Sequence, residues 1–150
     1  MINMKEENKR DHAVLVPYYI KDGKMFVYLQ RRDKDAKALP DYFGLWGGKI
    51  EDDETVEEAL EREIKEELNI EVKNYSHFAH YEFYGSSRDV FIKKVDEDFD
   101  SKVEILEGQY GKFFTEVEVI NEEKILDEDR VVLRNLFGKI MRNNPYGVYV

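Results

Sequence analysis

The segment from Gly48 to Ile70 constrains the fold more than any other part of the chain. Within it, Val56, Leu60, Ile64 and Leu68 recur every four residues, and this spacing predicts an amphipathic helix with one buried stripe. An acidic loop and a glycine pair precede the helix, and such glycines are typical of a sharp turn or of close contact with a ligand. The segment therefore predicts a loop and a helix that pack on a core.

Three glutamates of the predicted helix, Glu63, Glu66 and Glu67, share one face that borders the apolar stripe. Carboxylates three and four residues apart repel one another and weaken an isolated helix. A hard cation with oxygen ligands, above all Mg²⁺, would turn this repulsion into attraction. The alternative is an ordinary solvated helix, which explains most charge runs of this kind.

Charge and composition narrow the function classes. The 150 residues carry a formal net charge of −10, and residues 48–71, with eleven acidic and three basic side chains, account for −8 of it. This balance argues against binding of a nucleic acid polymer, which needs a basic surface. No cysteine is present, so disulfides and thiolate metal sites are excluded, and a reducing cytoplasmic setting is expected. No apolar run reaches the length of about 18 residues that a membrane span needs, so we expect no membrane insertion.

The rest of the chain predicts a mixed sheet with about two helices, an α+β architecture, in a single domain over residues 1–150. Residues 1–11 are polar and are expected to form a loose terminus. The closing residues 145–150 fit a tail or an added edge strand equally well. Alternating patterns and turn signals give the predicted elements: a hairpin of Ala13–Ile20 and Lys24–Arg32, a strand Val72–Phe83, a turn Gly85–Ser87, a returning strand Val90–Val95, a last strand Lys112–Val119 and a helix from about Asp127.

The spacing of the acidic segment resembles the signature of the Nudix hydrolases: glycine, five residues, glutamate, seven residues, and then Arg-Glu-apolar-x-Glu-Glu-x-Gly-apolar. Eight of the nine specified positions match, and these are Gly48, Glu54, Arg62, Glu63, Ile64, Glu66, Glu67 and Ile70. The departure is Asn69 in place of glycine. Because that glycine ends the helix at positive φ and asparagine tolerates the same conformation, we expect the change to be mild.

The resemblance implies a Nudix-type α/β/α sandwich over residues 12–142, with a mixed sheet, a catalytic loop-helix and a C-terminal helix. It also implies that the side chains of Glu63, Glu66 and Glu67 bind Mg²⁺ or Mn²⁺, with the carbonyl of Gly48 as a further ligand. The acidic face of the helix would then be a metal site.

Two further roles follow from the resemblance. Glu54 and Arg62 would pair and brace the loop against the helix. The general base is Glu63 in some members and a glutamate on a later loop in others, and Glu107, before the last strand, resembles the loop glutamate of MutT-type members. Glu104 is the less favoured neighbour. The sequence leaves the choice of base open.

The implied activity is hydrolysis of a pyrophosphate linkage in a nucleoside diphosphate joined to another group, with a nucleoside triphosphate or a modified nucleotide as the first substrate candidate. The alternative is a Nudix module that senses nucleotides or binds a protein without turnover. A complete set of three acids argues against a pure binder. Dimers are common among Nudix proteins, so a homodimer is compatible with the resemblance.

Residues outside the signature give weaker predictions about the substrate. Arg31 and Arg32 end a strand that leads toward the acidic loop, and an arginine fork suits phosphate oxygens. Trp46, just before the glycine pair, could stack on a base, although a large aromatic is more often part of the core. The three histidines are interpreted as structural, and His77 and His80 are expected on opposite faces of a strand.

Overall fold

The computed structural model describes residues 10–142, without the side chain of Arg10. The predicted loose terminus, residues 1–11, lies outside this range except for its last two residues, which belong to the first strand. The predictions for residues 143–150 also lie outside it.

The described residues form seven strands and four helices. The strands are β1 (Arg10–Lys21), β2 (Lys24–Arg31), β3 (Phe43–Gly44), β4 (Trp46–Lys49), β5 (Ser76–Phe83), β6 (Ser86–Lys94) and β7 (Tyr110–Phe114). The helices are α1 (Val56–Leu68), α2 (Phe99–Lys102), α3 (Glu116–Asn121) and α4 (Asp127–Met141). The predicted first hairpin and the predicted C-terminal helix are confirmed by β1, β2 and α4.

All seven strands belong to one mixed sheet in which β1 is central. The order β3-β2-β1-β6-β5 is completed by β4, which pairs with β1, and by β7, which pairs with β2. β1 and β6 are parallel, whereas the other pairs are antiparallel. Residues 18–21 of β1 pair with β2, and residues 12–15 pair with β4 along the same edge. This insertion places Gly47 and Gly48 opposite Val14 and Ala13, in the middle of the sheet.

Side chains alternate between two cores, one on each face of the sheet. Ala13 and Leu15 of β1 pack in the core beneath α1, whereas Val14 and Val16 pack in the core beneath α4. The buried side chains of α1 are Ala59, Leu60, Ile64, Glu67 and Leu68. A sheet with one apolar core on each face requires a helix layer on both sides, and this confirms the predicted α/β/α sandwich. In residues 10–142, no helix is long and apolar enough to cross a lipid bilayer.

Two predicted boundaries in the second hairpin are wrong. The strand expected from Val72 begins only at Ser76, because Val72 is buried against the α1 core and Asn74 turns the chain at φ 55. The expected turn Gly85–Ser87 is instead formed by Tyr84 and Gly85, so the two serines that follow belong to β6.

The last predicted strand, Lys112–Val119, is also wrong in its second half. The strand β7 ends at Phe114, and α3 begins one residue after Thr115. The Thr115 hydroxyl accepts a hydrogen bond from the backbone N–H of Glu118 at 3.3 Å, and the Glu118 side chain accepts one from the backbone N–H of Thr115 at 3.0 Å. This reciprocal cap outweighs the strand preference of the valines that follow.

The expectation that His77 and His80 face opposite sides of a strand is wrong as well. Both ring systems contact the same oxygen of Asp89, through His77 Nε2 at 2.9 Å and His80 Nδ1 at 3.1 Å. The pairing of β5 with β6 shifts register between His77 and Ala79, and such a bulge breaks the alternation on which the expectation rested.

Candidate active site

The acidic helix α1 begins and ends with specific caps. Thr55 is its N-cap: its hydroxyl accepts from the backbone N–H of Glu58 at 3.1 Å, and Glu58 in turn accepts from the backbone N–H of Thr55 at 2.9 Å. At the other end, Asn69 is in the left-handed conformation, with φ 54 and ψ 39, and its N–H donates to the carbonyl of Lys65 at 3.0 Å. Asparagine therefore ends this helix as the expected glycine would.

Glu54 and Arg62 join the acidic loop to the helix, as the sequence predicted. Arg62 donates from Nε and Nη2 to the two carboxylate oxygens of Glu54, at 2.6 and 2.8 Å, and Nη2 also donates to the carbonyl of Lys49 at 3.1 Å. The loop is closed further by the N–H of Glu51, which donates to Glu54 at 3.0 Å. Hydrogen bonds from Arg62 lower the pKa of the Glu54 carboxyl to about 2. This pair fixes the position of the loop.

Glu63 and Glu66 lie beside the same arginine. Nη1 of Arg62 donates to Glu63 at 3.0 Å and lies 3.5 Å from the carboxylate of Glu66. Burial raises the pKa of the half-buried Glu63 carboxyl, and the arginine opposes this shift. A Cβ at Gly48 would lie only 2.5 Å from the carboxyl carbon of Glu63. A larger residue at this position would displace the Glu63 carboxylate, whereas glycine lets the backbone lie against it.

Glu67 is the buried member of the set, with 5% of its surface exposed. The backbone N–H of Gly47 donates to its Oε1 at 2.7 Å. Burial, together with the smaller effect of the neighbouring charges of Glu63, Glu107 and Glu66, raises the pKa of the Glu67 carboxyl to about 9, although the hydrogen bond from Gly47 opposes the shift. Such a carboxylate is held in a position where only a cation or a proton offsets its charge.

Glu107 comes from a distant part of the chain and lies near the acids of the signature, Glu63, Glu66 and Glu67. Its loop is tied to α1 by the N–H of Leu106, which donates to the carbonyl of Glu67 at 2.8 Å, and to β2 by Gln30, whose side chain donates to the carbonyl of Glu107 at 3.1 Å. Gly108 follows at φ 88. The structure thus brings Glu107 to the acids of α1, whereas Glu104 binds the side chain of Asn69 at 3.0 Å.

The donor set fits a hard divalent cation. Among residues 10–142, no three acidic or histidine side chains are already arranged around one point as metal ligands. The guanidinium of Arg62 lies against the carboxylates of Glu63 and Glu66. Mg²⁺ needs no closed protein cage, because it keeps several waters and takes one or two carboxylates together with substrate phosphates. Glu63, Glu66 and Glu67 could hold it, with the backbone of Gly48 beside them.

Two clefts open next to these acids. The Glu107 cleft is lined by Gln30, Arg32, Asp33, Ala36, Glu67, Glu107 and Gly108. The Asp129 cleft has about 770 Å³ of empty space, including its mouth, and lies over β1–β4 with Gly47, Gly48, Phe43, Leu126 and Asp129 among its lining residues. Arg32 and Gln30 line both clefts. A ligand that spans the two would therefore pass Arg32.

The two arginines at the end of β2, which the sequence could not distinguish as phosphate ligands, have different surroundings in the structure. Arg31 is bound within the protein: Nε donates to Asp41 at 2.9 Å, Nη1 donates to the hydroxyl of Tyr110 at 2.7 Å, and the guanidinium lies 5.0 Å from the ring centre of Phe43. Arg32 donates to a backbone carbonyl and lines both clefts. Its contacts hold Arg31 within the protein, so of the two arginines predicted to bind substrate, Arg32 is the one placed at the clefts.

The substrate-stacking role considered for Trp46 is also wrong in this structure. Trp46 is fully buried, and its indole N–H donates to the carbonyl of Tyr28 at 3.1 Å. Its ring stacks on Tyr28, with 5.5 Å between the ring centres. The side chain points into the α1 core, so it fixes the strand that carries the glycine pair and leaves no face for a base.

Two residues that the sequence did not single out lie in the Asp129 cleft. Arg88 of β6 forms an ion pair with Asp129 in the first turn of α4, and both residues line the cleft. Burial raises the pKa of the Asp129 carboxyl, and the charge of Arg88 opposes this. The partners are 41 residues apart. No local spacing could have indicated them, since only the sheet and helix packing brings them together.

The mixed sheet between two helix layers, with a carboxylate cluster on a capped loop-helix beside a glycine pair, defines a Nudix-type domain. The family model of the NUDIX domain matches residues 9–135, and the chain belongs to this family. The Nudix resemblance predicted from the signature is confirmed.

Individual proteins that resemble this chain in sequence or in structure are also Nudix or MutT proteins or pyrophosphate-releasing enzymes by name. The dihydroneopterin triphosphate diphosphatase of Escherichia coli K12 is 41% identical over 64 residues, a match that covers 43% of this chain and only 39% of that protein. A NUDIX hydrolase from Nitrosomonas europaea has a similar structure, with a TM-score of 0.69 at 22% identity over 92% of this chain and 75% of that one. A MutT protein from Methanosarcina mazei Go1 gives a TM-score of 0.63 at 18% identity, over 91% and 96%. At these identities the two structures show the fold alone.

Proposed function

We propose that this chain hydrolyses a phosphoanhydride bond in a nucleoside diphosphate joined to another group, with Mg²⁺ or Mn²⁺ as cofactor. The observation that carries the proposal is the convergence of four carboxylates, the buried Glu67, the half-buried Glu63 and the exposed Glu66 and Glu107, where the pKa of Glu67 is raised to about 9. A purely structural cluster of this kind would only lose stability. A divalent cation and the phosphates it accompanies give the cluster a function.

The three acids of α1 and the carbonyl of Gly48 would hold the cation. When bound there, such a cation offsets the charge of phosphate oxygens and lowers the pKa of a water molecule. The pairing of Arg62 with Glu54 keeps the loop in place and positions Gly48 for this role. These two residues act through others, so they are positioning residues.

The reaction needs an acceptor for the proton of the attacking water. Attack of the water oxygen on phosphorus breaks the bridging P–O bond, the phosphate on the far side leaves with the bonding electrons, and the proton passes to a carboxylate. We assign this role to Glu107, since it lines the Glu107 cleft together with Arg32, whereas Glu63 is engaged by Arg62. The guanidinium of Arg32 would bind the phosphate chain.

The first substrates to test are triphosphates. The relative from Escherichia coli is, by its name, a diphosphatase of dihydroneopterin triphosphate. The connected clefts support a ligand of the same general shape, with a ring system in the Asp129 cleft and a phosphate chain near Arg32 and the acids. Small-molecule nucleotides, rather than a nucleic acid polymer, also agree with the net charge of −10.

A direct test is the release of pyrophosphate and phosphate from dihydroneopterin triphosphate and the common nucleoside triphosphates, with Mg²⁺ and with EDTA. We expect turnover of at least one compound with Mg²⁺, its loss in EDTA, and a fall of about 100-fold or more in E63Q. The matched control is E57Q, which removes an exposed carboxylate from the same helix. Turnover that survives EDTA, or equal activity of both variants, would refute the proposal. Tight nucleotide binding without any turnover would instead support the sensing module.

A further inference from the structure

The carboxylate of Asp41 ties together three parts of the chain near the Glu107 cleft. Asp41 lies in the loop between β2 and β3, in the left-handed conformation at φ 65. Its Oδ1 accepts hydrogen bonds from Nε of Arg31 at 2.9 Å and from the side-chain amide of Gln109 at 2.7 Å, and Nζ of Lys124 donates to Oδ2 at 3.3 Å. These donors come from the end of β2, from the loop that carries Glu107 and from the connection between α3 and α4. Asp41 therefore joins segments that are far apart in sequence.

The same hydrogen bonds keep Asp41 ionised. The bond from Gln109 lowers the pKa of the Asp41 carboxyl most, and with the bonds from Arg31 and Lys124 the pKa falls to about 2, against an opposing effect of desolvation. So weak a base does not accept a proton at neutral pH, and Asp41 is therefore unsuited to acid–base chemistry. Among the described residues that line the two clefts, Asp41 does not occur. Any role of Asp41 in the reaction must act through its partners.

Gln109 fixes the loop of Glu107 to the end of β2. Its backbone N–H donates to the carbonyl of Arg31 at 2.8 Å, and its side-chain amide donates to the carbonyl of Arg32, also at 2.8 Å, in addition to the bond described above. Gly108 lies so close to the strand that a Cβ would be 2.8 Å from the carbonyl oxygen of Arg31. The side chain of Glu107 thus begins two residues from an anchor on the strand.

The Arg32 side of the cleft is held by the loop that contains Asp41. The N–H of Arg32 donates to the carbonyl of Tyr42 at 2.7 Å, and Nε of Arg32 donates to a backbone carbonyl of the same loop at 3.0 Å. The N–H of Asp41 closes this loop on the carbonyl of Asp33 at 3.1 Å. The segments that carry the proposed base and the proposed phosphate ligand are therefore linked through Asp41.

Resting on the proposed function, we propose that Asp41 is a positioning residue that holds Glu107 at a fixed place relative to Arg32. The hydrolysis needs the base and the phosphate ligand on one substrate at the same time, and a displacement of about 1 Å can cost about 100-fold in rate. Hydrogen bonds to a charged acceptor are stronger than neutral ones and suit this task. Ion pairs near the surface contribute little to stability by themselves. Asp41 therefore supports the rate more than the fold.

The first test compares D41G with D41N, because glycine and asparagine both tolerate φ 65. Glycine removes the acceptor, whereas the amide oxygen of asparagine can still accept from Arg31 and Gln109. For the triphosphate that the native chain hydrolyses with Mg²⁺, we expect kcat to fall by about tenfold or more in D41G, with a smaller change in KM. D41N should recover most of this loss. A D41G variant with the native kcat, or a D41N variant as impaired as D41G, would overturn the proposal.

The matched control is K124M, which removes the exposed third donor of Asp41 and should keep kcat near the native value. A double mutant then separates positioning from a purely structural role. If Asp41 acts through Glu107, D41G should lower kcat in the native chain but change it by less than about twofold in E107Q. Equal losses in both backgrounds would assign Asp41 to the fold alone and overturn the proposal.

Hydrogen exchange tests the positioning without turnover, so that failure of the proposed function is distinguishable. The N–H of Gln109 bonds to β2, whereas the N–H of Leu106, in the same loop, bonds to α1. We expect exchange at Gln109 to accelerate by about tenfold or more in D41G and to stay near native in D41N, with Leu106 unchanged in both. Native exchange at Gln109 in D41G would overturn the positioning, even if Mg²⁺-dependent hydrolysis is found. Faster exchange there without hydrolysis of any triphosphate would support the positioning and refute the proposed reaction.

Discussion

The backbone N–H of Gly47 donates a hydrogen bond of 2.7 Å to the carboxylate of Glu67 and so ties the glycine pair to the last turn of α1. Glycine is required there, because Gly47 has φ 131 and a Cβ would collide with the backbone of Ala13. The bond stabilises an anion that burial and three neighbouring carboxylates disfavour. The position of Glu67 is therefore set by the strand β4, while its charge is left for a cation to offset.

Stability in the absence of metal should depend on pH through Glu67. The folded-state pKa, about 9, lies above the value of about 4.3 in an unfolded chain, so the folded protein holds the extra proton between the two values. Stability should therefore fall as pH rises through this window, by at most about 1.4 kcal/mol per pH unit. Urea unfolding in EDTA measures this slope. In E67Q the slope should be shallower, and an identical slope in both proteins would show that Glu67 does not titrate as described.

Replacement of Gly48 should weaken metal binding more than folding. Alanine at this position would place a Cβ 2.5 Å from the Glu63 carboxyl carbon, so the carboxylate must move. We expect G48A to lower Mn²⁺ affinity by about tenfold or more, as other displaced ligands do. The control is G44A, whose Cβ would be in ordinary contact at 3.6 Å. Equal Mn²⁺ affinities in the two variants would contradict this relation between Gly48 and Glu63.

The ion pair of Glu54 and Arg62 should support activity indirectly, by holding the acidic loop and Gly48 in position. E54Q removes the charge that receives the bidentate fork, and loss of such a supporting partner typically costs about 10- to 100-fold in metal affinity or activity. E51Q is the control, because Glu51 lies 3.8 Å from the same arginine but is 68% exposed. The measurement is kcat/KM together with Mn²⁺ affinity. If E51Q and E54Q are equally impaired, the fork to Glu54 has no special role.

The helix stop at Asn69 should tolerate glycine and resist alanine. With φ 54, a residue that has a Cβ and no local hydrogen bond costs about 1–2 kcal/mol relative to glycine. Urea unfolding should therefore show N69G near the native stability and N69A destabilised by about 1 kcal/mol. The control is N121A, in the right-handed helix α3. If N121A loses as much unfolding free energy as N69A, the effect comes from removing the asparagine side chain and not from the positive φ at residue 69.

The sequence predicted what depends on local spacing and missed what depends on packing. The predictions that succeeded all fall within the 23 residues of the signature, where helix geometry determines which side chains are neighbours. They are the three glutamates of α1, the Glu54 and Arg62 pair and the end of the helix at Asn69. Arg88 and Asp129 meet only through the sheet and α4, so no spacing indicated them.

The wrong predictions have equally local causes. The bulge between His77 and Ala79 reverses the alternation of a strand, and the cap at Thr115 replaces strand with helix. Trp46 could be interpreted from sequence as either packing or ligand contact, and only its burial decides between them.

The most direct test of the central claim is Mn²⁺ binding followed by the enhancement of water proton relaxation. In the native chain we expect saturable binding, and in E67Q a loss of affinity of at least about tenfold. E57Q, which changes an exposed acid of the same helix, should bind as the native chain does. If E67Q and E57Q bind Mn²⁺ equally well, the carboxylate cluster is not a metal site, and the account of the active site is wrong.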